Sequence, residues 1–268
     1  MASPKTKVRT STQPQQDYSV LEGRLKCLRL PTMLSEYSKV AKQCAHDNAT
    51  YEGFLEELTG LETSHRESKS INRRIAKAKL PTMKELADFD FLAVPKLNKS
   101  KVIELSSCRY VHDMTNIVFI GPPGVGKTHL AIALALCACR NGLSTRFYTA
   151  AQIVNTYREA REQRGVMRLE ASLQRLDMII VDELGYFPID RMGAESLFGF
   201  FSHFYEQVIL IVTTNLPFAQ WPSTFAGDER LTGALLDRLT HRVEIMSIEG
   251  DSYRLQQSLK NKQSKAKA

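Results

Sequence analysis

The sequence of 268 residues predicts an α/β protein: a parallel five-stranded sheet flanked by helices, preceded by a small all-helical domain. Three observations carry that prediction. From about residue 98 onward, short apolar runs alternate with helical stretches, the pattern of a parallel sheet covered on both faces. The first run, Ile117-Val118-Phe119-Ile120, leads straight into a glycine-rich loop and then into a helix. Residues 18–79, by contrast, have helical periodicity, many charges and no glycine-rich loop.

Taken in order, Met1 to Gln16 is polar with scattered lysines, so residues 1–17 are expected to form a disordered tail. It has no apolar centre, and a signal peptide is not expected. In the helical module over 18–79, Leu21, Leu25 and Leu28 share one face, and Phe54, Leu55, Leu58 and Leu61 build another. Residues 21–100 hold 14 Lys/Arg against 11 Asp/Glu, too balanced for a unit built to grip DNA. Its expected role is assembly or partner contact. Leu80-Pro81-Thr82-Met83 and Val94-Pro95 bracket a linker over 80–97, because a residue before proline resists helix. The main domain follows over 98–258. Its further strands are expected at 145–149, 178–181, 208–213 and 243–246, with helices from His129 to Arg140, over a long polar stretch from Ala151 to Leu176, and at 193–207 and 228–240. Residues 259–268, with Lys260, Lys262, Lys265 and Lys267, form a basic tail expected to be disordered.

The loop after the first strand is Gly121-Pro122-Pro123-Gly124-Val125-Gly126-Lys127-Thr128, a full Gly-x-x-x-x-Gly-Lys-Ser/Thr match. Its glycines let backbone N–H groups curl inward around phosphate oxygens. Lys127 reaches the β- and γ-phosphates, and the Thr128 hydroxyl ligates Mg2+. The helix that follows presents its N-terminus to the anion. These residues predict binding of a nucleoside triphosphate, ATP, with Mg2+.

Hydrolysis needs a metal-holding carboxylate and a second group that polarises water. Met178 to Val181 is an apolar strand that delivers Asp182 and Glu183 at its C-terminal end, where open α/β sheets place ligands. Asp182 is assigned to the metal and Glu183 to the water. The strand over 208–213 ends in Thr213-Thr214-Asn215, and the Asn215 amide can orient the water and sense the γ-phosphate. In Leu235 to Arg242, Arg238 either stabilises transition-state charge on a neighbouring subunit's nucleotide or pairs with Asp237 or Glu244 on its own surface. Arg242 is a second, weaker candidate for the same role.

A charged face within Ala151 to Leu176 either contacts DNA or is an ordinary solvated surface. Projected as one helix, Arg161, Arg164, Arg168 and Arg175 fall within about 60° of one another, with Arg158 about 60° beyond. Glu159, Glu162 and Glu170 lie on the other side, so the stripe suits phosphates; a break at Gly165 would undo the projection. A net charge of +7 and a pI near 9.1 fit an anionic partner. The longest apolar stretch, Leu130 to Cys139, is about half of the ~20 residues a bilayer needs, so no membrane span is predicted. Five cysteines without a CxxC pair point to reduced thiols and a cytoplasmic location.

The order of phosphate loop, Asp-Glu strand, Thr-Thr-Asn strand and Leu-Leu-Asp-Arg-Leu helix resembles AAA+ ATPases of the initiator and helicase-loader branch. More narrowly, the chain resembles the IstB-type helper ATPases of bacterial insertion sequences. The strings that carry the likeness are Arg73 to Pro81, Leu86 to Phe91, Asn116 to Leu130, Asp182 to Phe187, Thr213 to Pro217 and Ser252-Tyr253-Arg254. The resemblance implies an AAA+ core, ATP-dependent homo-oligomers on double-stranded DNA, and a cognate transposase that performs strand transfer. About thirty residues follow Arg238, too few for the helical lid such proteins usually carry; Arg254 could supply the arginine that lid provides, or stay exposed. Two other readings remain at this point: a loader of a replicative helicase, and a nucleotide-switched DNA scaffold without turnover.

Overall fold

The computed structural model describes residues 17–254. The two terminal tails expected from the sequence lie largely outside that range. Contacts divide the chain into two compact units between Ser70 and Ile71.

The first unit holds α1 (Ser19–Cys27), α2 (Pro31–His46) and most of α3 (Tyr51–Ala78). Its small core is Leu25, Met33, Val40, Cys44 and Leu58, with Tyr37 and Phe54 packed against them. Of the two apolar faces read from the sequence, only Leu25 and Leu58 are buried; Leu21, Leu28, Leu55 and Leu61 are exposed. A buried carboxylate ties the helices together. Glu62 accepts the Thr32 and Met33 N–H groups at 2.8 and 3.1 Å, capping a helix that begins with Pro31 and has no side-chain cap of its own. Arg66 donates to the same carboxylate at 2.8 Å. Burial raises the Glu62 pKa, but the Met33, Arg66 and Thr32 donors outweigh it and hold the carboxyl below its ordinary value.

The second unit is the α/β core. Its elements are α4 (Lys99–Ser106), β1 (Asn116–Ile120), α5 (Lys127–Arg140), β2 (Thr145–Thr149), α6 (Ala150–Glu162), α7 (Val166–Leu173), β3 (Met178–Leu184), α8 (Arg191–Phe204), β4 (Ile209–Thr214), α9 (Trp221–Thr224), α10 (Glu229–Thr240) and β5 (Val243–Ser247). All strands run parallel in the order β2-β3-β4-β1-β5. Alternation along β1 shows why the sheet has two cores: Ile117 and Phe119 face α4 and α5, while Val118 faces α6, α8 and α10. The five-stranded parallel sheet is thus the one expected.

Two expectations change. The stretch 80–97 is not a free linker. Phe89, Val94 and Leu97 are buried in the core with α5, and Glu85 pairs with Arg140 through both terminal guanidinium nitrogens. Second, the polar region after β2 is two helices. Arg164 turns left-handed at φ 51° and Gly165 is the N-cap of α7, so a single-helix projection no longer describes its arginines. Among the described residues no helix is long and apolar enough to cross a membrane. Cys44, Cys108 and Cys139 are buried thiols, whereas Cys27 is exposed.

Candidate active site

The site is built where β1 stops. Its neighbours on both sides pin the start of the loop: the Gly121 N–H donates to the Thr214 carbonyl at 3.2 Å, and the Ile248 N–H donates to the Ile120 carbonyl at 2.8 Å. The loop is packed too tightly for side chains. A Cβ on Gly121 would overlap the Ile248 carbonyl, and one on Gly124 would overlap Ser252. Gly126 has φ 102° and immediately precedes α5, which has no side-chain cap. The N–H groups of that first turn therefore remain available to an anion.

Lys127 is 9% exposed and folds back onto the loop, donating to the Gly121 and Pro122 carbonyls at 2.7 Å each. Burial pushes its pKa below the usual lysine value and nearby Arg254 adds to this, while Asp182 and Glu183 pull the other way. At the next position, the Thr128 hydroxyl donates to Asp182 Oδ1 at 2.9 Å. Asp182, 5% exposed, also accepts the Thr213 hydroxyl at 2.6 Å. Glu183 is exposed at the end of β3, and its carboxylate makes no hydrogen bond among the described residues. Asn215, just past β4, has a buried Oδ1 without a hydrogen-bond partner. Leaving such an atom unpaired is costly, so this amide is suited to a group that arrives later.

These residues fit a magnesium nucleotide. A hydroxyl and a buried carboxylate meet beside a loop that offers N–H groups, a lysine and an uncapped helix end, the hard oxygen donors that Mg2+ prefers. A cleft of about 420 Å3 opens from the loop and is lined by Met83, Phe89, Ala93 and Val94 and by Tyr253 and Arg254. The Phe89 ring stands edge-on to His129, whose Nε2–H donates to the Glu85 carbonyl at 2.8 Å. Sequence reasoning missed this lining. Its only trace was the Leu-Ala-Asp-Phe-Asp-Phe string at 86–91. Arg254, left open before, lines the cleft.

Arg238 stands elsewhere. It donates to the Ala234 carbonyl at 2.8 Å and lies over the Phe198 ring of α8 at 5.1 Å, with no ion pair to Asp237 or Glu244. Glu244 is instead near Lys101. Arg242 is exposed and reaches the Asp113 carbonyl at 3.4 Å. Neither arginine lines the cleft of its own chain. Of the proposed DNA contacts, Arg161, Arg164, Arg168 and Arg175 are exposed, while Arg158 pairs with Asp190 at 3.2 Å.

The profile described as "IstB-like ATP binding protein" matches residues 23–261. The chain belongs to the IstB-like family. Similar proteins include an ATP-binding protein of insertion sequence IS5376 from Geobacillus stearothermophilus, 37% identical over 86% of this chain and 91% of that protein. Another, from insertion sequence IS21 of Pseudomonas aeruginosa, is 35% identical over 90% of each chain. Among solved structures, AMPPCP-bound DnaA from Aquifex aeolicus superposes with a TM-score of 0.53 at 19% identity, covering 68% of this chain and 56% of that one. DnaA bound to AMPPCP and single-stranded DNA gives 0.52 at 17% identity, covering 65% and 52%. The chain spans about half the length of those initiator chains, and the likeness shows the shared fold. Family membership thus agrees with the resemblance read from the motifs.

Proposed function

We propose that this family member is a Mg2+-dependent ATPase that assembles as a homo-oligomer on double-stranded DNA and supports a cognate transposase, acting in the cytoplasm. The observation that carries the reading is the Thr128–Asp182 contact at 2.9 Å beside a preformed phosphate loop. Bound there, Mg2+ would neutralise charge on the β- and γ-phosphates. The chain's own residues do the rest. On binding, Lys127 exchanges two carbonyl acceptors for phosphate oxygens. Phe89, Met83 and Val94 supply an apolar wall of the kind a purine base needs. Glu183, exposed and unpaired, takes a proton from the attacking water, and the Asn215 carbonyl orients it.

Arg238 does not line its own cleft, which supports action on a neighbouring subunit's nucleotide. Such an arrangement makes hydrolysis depend on assembly. The exposed Arg161, Arg164, Arg168 and Arg175 are suited to duplex phosphates, with Arg158 joining once released from Asp190. Family names that refer to insertion sequences favour the transposase partner over a replicative helicase. Measuring phosphate release by the full chain with and without duplex DNA tests the proposal. Turnover that rises with DNA supports it; a chain that binds ATP but never releases phosphate would reduce it to a nucleotide-switched scaffold.

A further inference from the structure

The pairing of β3 with β4 contains an irregularity at the two acids. Val181 pairs with Val212 and Leu184 with Thr214, so Asp182 and Glu183 together stand opposite the single residue Thr213. This is a bulge, a device that re-aims side chains beside active sites. It requires Glu183 to adopt φ 59°, a left-handed conformation unfavourable for a residue with a Cβ. Something must hold the backbone there.

The geometry points to Thr213 as the positioning residue of the site. Its side chain is 1% exposed. The hydroxyl donates its one proton to Asp182 Oδ1 at 2.6 Å and accepts the Glu183 N–H at 3.0 Å. One buried oxygen therefore fixes the carboxylate of the first acid and the backbone of the second. Because Thr128 also donates to Oδ1, two hydroxyls hold Asp182 by one oxygen and leave Oδ2 without a hydrogen bond among the described residues. The neighbouring Thr214 hydroxyl does different work, accepting the Leu216 N–H at 3.1 Å within its own turn. Thr213 makes no direct contact with nucleotide in this account. It acts by keeping the bulge closed, so that Glu183 projects from the sheet while Asp182 stays beneath the loop.

The inference rests on the proposed ATPase reading, and its test has one arm independent of turnover. In the full-length chain, Thr213→Val keeps the shape and removes the hydroxyl, and Thr213→Ser keeps the hydroxyl. Without nucleotide, hydrogen–deuterium exchange at the Glu183 amide should be at least about tenfold faster in the valine variant and near wild type in the serine variant. With ATP, the valine variant should lose about 10- to 100-fold in kcat, the range expected for a lost hydrogen bond to a charged group, while the nucleotide Kd measured without Mg2+ stays within about threefold. Serine should restore most of the turnover. If valine prevents folding, Thr213→Ala poses the same question. Unchanged exchange at Glu183, unchanged kcat, or failure of serine to rescue a folded protein would each overturn the assignment. A wild-type chain without turnover would instead refute the ATPase reading, while the exchange arm would still judge whether Thr213 holds the bulge.

Discussion

Replacing Gly126 with alanine tests whether the phosphate loop is built as described, and the structure sets the size of the effect. Two costs add. The backbone at φ 102° is outside the comfortable range of a residue with a Cβ, at about 1–2 kcal/mol. The added methyl would also stand 2.5 Å from Phe89 Cε2. That ring cannot swing away freely, because it is 9% exposed and wedged against Phe91 and His129. Overpacking of this kind costs about 1–3 kcal/mol. The sum is roughly 2–5 kcal/mol. The loop can relieve it by leaving its present conformation, and the loss then appears as about 30- to 5,000-fold weaker nucleotide binding. Titration with a fluorescent ATP analogue reads this directly, and a thermal melt reads any part retained as strain. In a Phe89→Leu background, Gly126→Ala should lose the overpacking share of its cost but keep the backbone share. Wild-type affinity and melting temperature in Gly126→Ala would show that the loop is not packed this way, as would an equal cost of Gly126→Ala with Phe89 and with leucine at that position.

Three further outcomes follow from the same structure. Arg238→Ala should bind ATP normally but lose on the order of 10³-fold in turnover, and mixing it with Lys127→Ala should restore part of the activity, because an intact phosphate loop then meets an intact arginine; no recovery at any ratio would argue against action between subunits. Changing Arg161, Arg164 and Arg168 to glutamine should weaken duplex binding whatever the sequence and reduce the log–log salt slope by about 0.9 for each lost phosphate contact, as read by anisotropy titrations over a salt series. Glu62→Gln should destabilise the N-terminal unit at neutral pH. Since the folded Glu62 pKa lies below the unfolded value, its contribution is fully present above about pH 4.3 and is lost as pH falls through the folded value. Circular dichroism melts from pH 7 to pH 3 should therefore show the variant losing less stability on acidification than the wild type; parallel curves would contradict the role given to Glu62.

Much of the site could be read in the sequence because its chemistry is local. Gly121 to Thr128 is one uninterrupted string, and the run from Met178 to Glu183 announces both a buried strand and its terminal acids. Alternating apolar runs likewise gave the five strands, since a sheet covered on both faces needs them. What escaped depends on distant partners. Pro81 and Pro95 argue against a continuous α-helix over 80–97, but nothing local says that Phe89 will lie against Gly126 or that Glu85 will meet Arg140. The bulge at Asp182 and Glu183 is equally hidden, because it exists only relative to Thr213 on another strand. Glu62 reads as one more charge on an amphipathic helix until the uncapped start of α2 is placed beside it. The division of α6 from α7 lies between these cases: Gly165 marks a possible break, and the positive φ at Arg164 realises it.

In the proposed cycle, nucleotide held by this loop drives assembly on DNA and hydrolysis at Glu183 ends it. Glu183→Gln removes the base while leaving the loop, Lys127, Thr128 and Asp182 unchanged. Analytical ultracentrifugation of this variant with duplex DNA and Mg-ATP tests this cycle most directly. Large DNA-bound assemblies should form with ATP, persist for as long as nucleotide is present, and outlast those of the wild type as the latter consumes its ATP. Assemblies of the same size and lifetime without nucleotide, or a Glu183→Gln chain that stays small with ATP and DNA, would contradict it.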